Sequence, residues 1–188
     1  KLRMLIRTRR SYTDRELVRL YKAHLLAYLE YRTLAIYHAI QNLLCKLDKI
    51  QSKFLEDAGI PEEDWLLEFN LAPLERRRDI AMLGLIQRTY VGKGPRHFKD
   101  HFRVERSVKF IDLRTQYGGR LVARSVLGFV AIYNLLPDAA KQITLVKDVR
   151  VLLQTYVKNV VGNGISDWRT MYSPRVPLNQ AEGELPPR

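Results

Sequence analysis

The chain has one cysteine and no long hydrophobic run, and each of these facts excludes some kinds of structure. Cys45 alone cannot form an intrachain disulfide or a multi-cysteine zinc site. A single cysteine favours an intracellular reducing compartment, and an organelle and the nucleus are both possible locations. The longest apolar run, residues 126–133, is far shorter than the ~20 residues that a membrane-spanning helix needs. The sequence therefore predicts no membrane span.

Acidic residues are also scarce, with 20 against 32 lysines and arginines, which gives a formal net charge of +12. The basic excess lies in two blocks, residues 1–57 and 76–124, on either side of residues 58–75, which hold five acids and no base. This balance favours a polyanionic partner, with nucleic acid ahead of an anionic membrane surface. Because 46% of the residues are hydrophobic, the chain can still form a folded core.

The residue patterns of common catalytic and metal sites are missing as well. No two adjacent aspartates are present to hold a pair of magnesium ions. His97 and His101 have helical spacing but no third zinc ligand nearby. Cys45 and His38 lack a third group that would orient them for nucleophilic chemistry. We therefore predict no catalytic residue, no metal ligand, no cofactor and no enzymatic activity in this chain.

Apolar spacing predicts a mainly α-helical fold. A capping box at Thr13 and Glu16 opens a helix that runs to about residue 38, with Tyr28 on its apolar stripe. Further helices are predicted over residues 43–55, from Pro61, over 70–88, over 96–103, over 121–136 and over 144–161. Gly92 is predicted to cap the helix over 70–88, and residues 104–113 to be extended.

The strongest candidate for nucleic-acid contact is the run of three arginines at 76–78, inside the helix over 70–88. Arg77 and Arg78 cannot lie unpaired on a buried face, so they must face solvent, a carboxylate or a phosphate. Between residues 88 and 124 basic residues alternate with aromatic ones, and exposed rings there would stack on bases, unless they belong to the core. The predicted phosphate contacts are Arg7, Arg9, Arg10, Arg76, Arg77, Arg78, Arg88, Lys93, Arg96, Lys99 and Arg103.

Short motifs occur in a familiar order along the chain. Residues 20–32 read LYKAHLLAYLEYR, residues 47–55 read LDKIQSKFL and residues 74–79 read LERRRD. Downstream, Arg124-Ser125 precedes residues 133–137, YNLLP. In this order and spacing, over most of residues 12–170, the chain resembles the thumb and post-thumb region of non-LTR (LINE-type) retrotransposon reverse transcriptases.

The resemblance implies a helical thumb-like bundle followed by a second small helical lobe. It divides the chain into a basic arm (1–12), a thumb-like domain (13–92), a post-thumb region (93–172) and an extended tail (173–188). It also implies a grip on the backbone of RNA or an RNA–DNA hybrid, without polymerisation, because the paired aspartates of the catalytic palm are absent.

The expected function is therefore non-catalytic nucleic-acid binding by part of a retroelement reverse transcriptase or a protein derived from one. Two alternatives stay open. One is a domesticated remnant that serves as a structural RNA-binding subunit of a large ribonucleoprotein, such as an organellar ribosome, among protein partners. The other is a helical scaffold that binds only protein, with its arginines facing acidic partners.

Overall fold

The structure, a computed structural model, describes residues 2–31, 33–99, 101–105, 110–113, 122, 124–164 and 171–174. Within these ranges it describes the backbone but not the side chains of residues 62, 63, 99, 103–105 and 110–113. Most of the extended tail predicted over residues 173–188 lies outside the described residues.

Helices dominate the described residues, which confirms the prediction of a mainly α fold. They are α1 (Leu2–Arg7), α2 (Asp14–Tyr21), α3 (Ala27–Glu30), α4 (Thr33–Ile36), α5 (Gln41–Ala58), α6 (Glu62–Leu67), α7 (Leu74–Tyr90), α8 (Arg96–Lys99), α9 (Phe129–Leu135), α10 (Asp138–Gln142) and α11 (Val146–Gly162). A π-helical turn, Lys22–Leu26, joins α2 to α3. Strands β1 (Phe102–Glu105) and β2 (Phe110–Leu113) form an antiparallel pair in which Phe102 faces Leu113.

Local capping signals in the sequence predict helix ends correctly. The hydroxyl of Thr13 accepts from the Glu16 amide, and the Glu16 carboxylate accepts from the Thr13 amide, so the capping box is present. At the other end of a helix, Gly92 follows α7 with a φ of 81°, the left-handed conformation that a side chain would disfavour.

The segment predicted as one helix from residue 14 to about residue 38 is helical but interrupted, because a π-helical turn follows α2 and because α3 ends at Glu30. The π-helical turn at Lys22–Leu26 adds a residue to one turn and so rotates the faces of the segment that follows it. As a result Tyr28, predicted on the apolar stripe, is 78% exposed, whereas Leu26 is buried. The helix predicted over 96–103 is also too long, because α8 stops at Lys99 and β1 begins at Phe102.

The described chain divides into two compact units, Lys1–Arg78 (the first unit) and Asp79–Arg188 (the second unit). The division between these two compact units lies within α7, after Arg78, and the thumb-like and post-thumb domains predicted on either side of Gly92 stay a prediction. The division falls there because the later part of α7 makes its contacts with residues further along the chain. Gly84, for example, lies so close to α11 that a Cβ there would be 2.8 Å from Nε of Arg150.

The first unit has an aromatic and aliphatic core around α2 and α5. Its buried cluster comprises Leu17, Val18, Tyr21, Leu26, Phe54, Leu55, Ile60, Phe69, Leu71 and Leu74. The rings of Tyr21 and Phe54 stack with centroids 4.2 Å apart. The Tyr21 hydroxyl donates to Oε1 of Gln51 at 3.5 Å, and Nε2 of Gln51 donates to the carbonyl of Ala72 at 3.0 Å. These bonds satisfy polar groups that burial would otherwise penalise.

The second unit also contains a buried tyrosine bonded to a glutamine, which in turn bonds backbone carbonyls. The Tyr133 hydroxyl donates to Oε1 of Gln87, and Nε2 of Gln87 donates to the carbonyls of Lys141 at 3.1 Å and Ile143 at 2.6 Å. Both Tyr133 and Gln87 are fully buried. Burial also raises the pKa of the Tyr133 phenol well above its usual range, so the hydroxyl keeps the proton that it donates.

Candidate nucleic-acid interface

The three consecutive arginines near the start of α7, Arg76, Arg77 and Arg78, all lie against carboxylates. Arg78 forms a two-bond contact with Asp48, with Nη1 to Oδ1 at 2.7 Å and Nη2 to Oδ2 at 2.9 Å. Nε of Arg77 donates to Oε1 of Glu30, and Nη2 of Arg76 lies 3.0 Å from Oε1 of Glu75. The sequence left solvent, a carboxylate or a phosphate as the group that Arg77 and Arg78 face. In the structure, each of them faces a carboxylate.

This placement does not support the prediction that the arginine triad contacts phosphate. The side chains of Arg76 and Arg78 are 3% and 5% exposed, and that of Arg77 is 17% exposed. A guanidinium this deeply buried and already bonded to a carboxylate offers little surface to a ligand. The sequence could not reveal the pairing, because Glu30 and Asp48 are 47 and 30 residues away from their partners.

A second predicted group, Arg88, Lys93 and Arg96, is exposed. The turn after α7 positions Arg88 and Lys93. The Gly92 amide donates to the carbonyl of Thr89, and the Lys93 amide donates to the carbonyl of Arg88. This is the bond pattern of a Schellman motif. Nε of Arg88 also donates to the Lys93 carbonyl at 2.9 Å, which holds the two cationic residues at the same turn. None of the three forms an ion pair with a carboxylate in the described part of the chain.

The N-terminal cations Arg7, Arg9 and Arg10 are exposed, and the basic arm predicted over residues 1–12 contains a short helix. Residues 2–7 form α1, whose Leu2, Leu5 and Ile6 pack against the core of the first unit. The Arg9 guanidinium donates to the carbonyl of Asp57, in the last turn of α5. A carbonyl at a helix C-terminus carries partial negative charge, which suits an arginine there.

The last two predicted contacts, Lys99 and Arg103, have backbone positions at the end of α8 and in β1, where Arg103 faces Asp112 across the hairpin. Their side chains lie outside the described part of the structure. The prediction for these two residues therefore stays a prediction.

Of the aromatic residues interleaved with these cations, those with described side chains, Tyr90, Phe98 and Phe102, belong more to the core than to a stacking surface. Phe102 is buried, and its ring lies 6.3 Å from the half-buried ring of Phe98. The ring of Tyr90 is also half-buried, 6.1 Å from that of Tyr133. Strongly exposed rings occur instead in the first unit, where Tyr28 and Tyr31 are 78% and 77% exposed.

Sequence reasoning missed three exposed lysines on α5, namely Lys46, Lys49 and Lys53, here called the lysine row. Their spacing of three and then four residues was the available signal, because residues so spaced share one face of an α-helix. The first and second of them form no ion pair within the described residues, and Lys53 lies 3.4 Å from Asp57.

The described residues also bear on the predicted absence of a membrane span and of metal ligands. Among the described residues, no helix combines the length and the apolar character needed to cross a membrane. In the same residues, no three histidine, cysteine, aspartate or glutamate side chains lie together where they could hold a metal ion. His97 and His101 are both exposed.

The chain was also compared with known proteins. No match was found among models of protein families, among curated proteins or among solved structures.

Proposed function

We propose that this chain is a non-catalytic helical module that binds RNA or an RNA–DNA hybrid through the phosphate backbone. The proposal is based on the observation that the described basic residues include a buried, paired set and an exposed, unpaired set. Buried arginines are paired with carboxylates, whereas Arg7, Arg9, Arg10, Arg88, Lys93 and Arg96 are exposed and form no ion pair with a described carboxylate.

Exposed and unpaired cations are the groups that polyanion binding requires. Each lysine or arginine that meets a phosphate displaces a condensed counterion, which makes the affinity steeply dependent on salt. Fixed cations lose less conformational entropy on binding than mobile ones do, and the turn at Gly92 fixes Arg88 against Lys93. A net charge of +12 would also attract a polyanion over a distance.

The retroelement origin is a further part of the proposal and rests on the motifs of the sequence. Residues 47–55 lie on α5, and residues 74–79 open α7. In the parent family the equivalent helices belong to a thumb that holds the primer–template. We propose the same role for this chain, without a polymerase activity of its own.

A salt titration with a matched variant tests the binding. We expect filter binding to single-stranded RNA and to an RNA–DNA hybrid to weaken as salt rises, with a slope of several units in log–log form. Lys93→Gln with Arg96→Gln should lower that slope by about 1.4 on the single strand, at about 0.7 per phosphate contact. The control, Arg15→Gln with Arg19→Gln, removes two exposed charges elsewhere and should leave the slope nearly unchanged. A flat slope with negligible affinity would refute nucleic-acid binding and favour the protein-only scaffold.

A second candidate function has an observation of its own. The first unit exposes several large apolar side chains: Tyr28, Tyr31, Leu34, Ile40 and Leu43 are between 46% and 78% exposed. Exposed apolar side chains in such numbers are typical of a surface that other subunits cover. They favour the structural RNA-binding subunit of a ribonucleoprotein, and this candidate predicts protein partners that remain bound after nuclease treatment.

A further inference from the structure

The lysine row forms a straight cationic edge on α5. Lys46, Lys49 and Lys53 are all exposed, whereas Leu44 and Gln51 on the same helix are buried. With 3.6 residues per turn, the row lies on the side of α5 that faces away from the core. At 1.5 Å per residue, Lys46 and Lys53 are separated by about 10 Å along the helix axis.

The acids of α5 leave Lys46 and Lys49 without an ion pair among the described residues, whereas Lys53 pairs with Asp57. Asp48 forms its two-bond contact with Arg78 and is therefore neutralised within the first unit. Asp57 is 3.4 Å from Lys53, but the same residue accepts from Arg9 through its carbonyl, which brings another cation to that end of the row. Glu56 is the remaining acid of this helix, and it lies beyond the last lysine.

We infer that the lysine row binds one sugar–phosphate strand of a nucleic acid, an inference that rests on the proposed function. One strand of a duplex carries a negative charge every 3.4 Å along its axis, so a cationic edge of about 10 Å faces about three phosphates. The row contains no aromatic residue, so it contacts the backbone and not the bases. Binding by this row is independent of base sequence, because phosphates carry no sequence information.

The experiment compares two variants that lose the same charge. The row variant is Lys46→Gln, Lys49→Gln and Lys53→Gln; the control is Arg15→Gln, Arg19→Gln and Lys147→Gln, which are exposed elsewhere. Both are titrated with a uridine 20-mer and with an RNA duplex over a salt series. For the row variant we expect about tenfold weaker binding at low salt and a slope lower by about 2 on the single strand. The control should remain close to the wild type, and replacing the same three lysines with arginine should preserve binding.

The outcomes separate the inference from the function on which it rests. Equal losses in the row variant and the control would mean that only overall charge matters; the row would then be refuted and nucleic-acid binding would stand. Unchanged binding by the row variant would refute the row in the same way. No binding by the wild type would overturn both. Circular dichroism of each variant checks that α5 remains helical.

Discussion

Asp48→Ala is expected to lower the free energy of unfolding of the first unit by about 3 kcal/mol, and by more than Arg78→Met, which replaces its partner. The two side chains are bonded at 2.7 and 2.9 Å. They differ in access to water, since Arg78 is 5% exposed and Asp48 is 26% exposed. Without Asp48, a buried guanidinium would keep its charge and lose its acceptor, which is the costly way to break such a pair.

Arg78→Met should cost less, about 1–2 kcal/mol, for two reasons. Methionine retains much of the apolar stem of arginine, and the carboxylate left behind on Asp48 can be hydrated because part of it reaches solvent. The double variant should be less destabilised than the sum of the two single ones, since neither charge is then left alone.

Urea unfolding followed by circular dichroism measures all three variants. Lys49→Ala, an exposed neighbour on the same helix, is the control and should change the stability by no more than about 0.5 kcal/mol. Equal costs for Asp48→Ala and Lys49→Ala would show that the ion pair contributes nothing. A larger cost for Arg78→Met than for Asp48→Ala would contradict the assignment of the buried charge to the arginine.

The arginine triad also shows how far the sequence can predict this molecule. It predicted that Arg77 and Arg78 must face solvent, a carboxylate or a phosphate, because a charged residue on an apolar helix face needs a partner. The choice among the three depends on which distant helices pack beside α7. Glu30 and Asp48 reach it through tertiary contacts that no local pattern encodes.

Local signals were more reliable than those that depend on packing. The capping box at Thr13 and the left-handed turn at Gly92 were predicted because the residues that cause them are adjacent in sequence. The π-helical turn at Lys22–Leu26 has no such signature, so the exposure of Tyr28 was missed. The lysine row was visible as a spacing, but only the burial of the opposite face shows that it points outward.

Charge in this protein therefore has two separate roles. Inside the first unit, Arg78 is matched to Asp48 and Arg77 to Glu30, so each of these buried or half-buried guanidinium groups has a carboxylate partner. In the second unit, Lys141 is also buried, and its ammonium donates to the carbonyl of Asn134 at 2.8 Å. The exposed lysines and arginines are the groups that we propose for contact with a nucleic acid, and the salt titrations test this proposal.

In the second unit, the largest effect is expected from Gln87→Leu. Gln87 is fully buried; its amide nitrogen donates to the carbonyls of Lys141 and Ile143, and its amide oxygen accepts from Tyr133. Leucine has a similar size but no polar atom, so the buried carbonyl of Lys141, the partly buried carbonyl of Ile143 and the buried Tyr133 hydroxyl would lose their partner. Because each orphaned group costs about 1–3 kcal/mol, we expect a loss of about 3 kcal/mol in the free energy of unfolding.

Comparison with Tyr133→Phe distinguishes this network from simple packing. Phenylalanine leaves only the Gln87 oxygen unsatisfied, so the single change should cost about 1–2 kcal/mol, and the double variant should cost less than the sum because the two residues share one bond. Gln142→Leu, on the exposed side of α10, is the control and should remain within about 0.5 kcal/mol of the wild type. If Gln87→Leu were as mild as the control in urea unfolding, the buried amide would not be what joins α7 to the segment after α10. Additive costs for the double variant would instead mean that Tyr133 and Gln87 act independently.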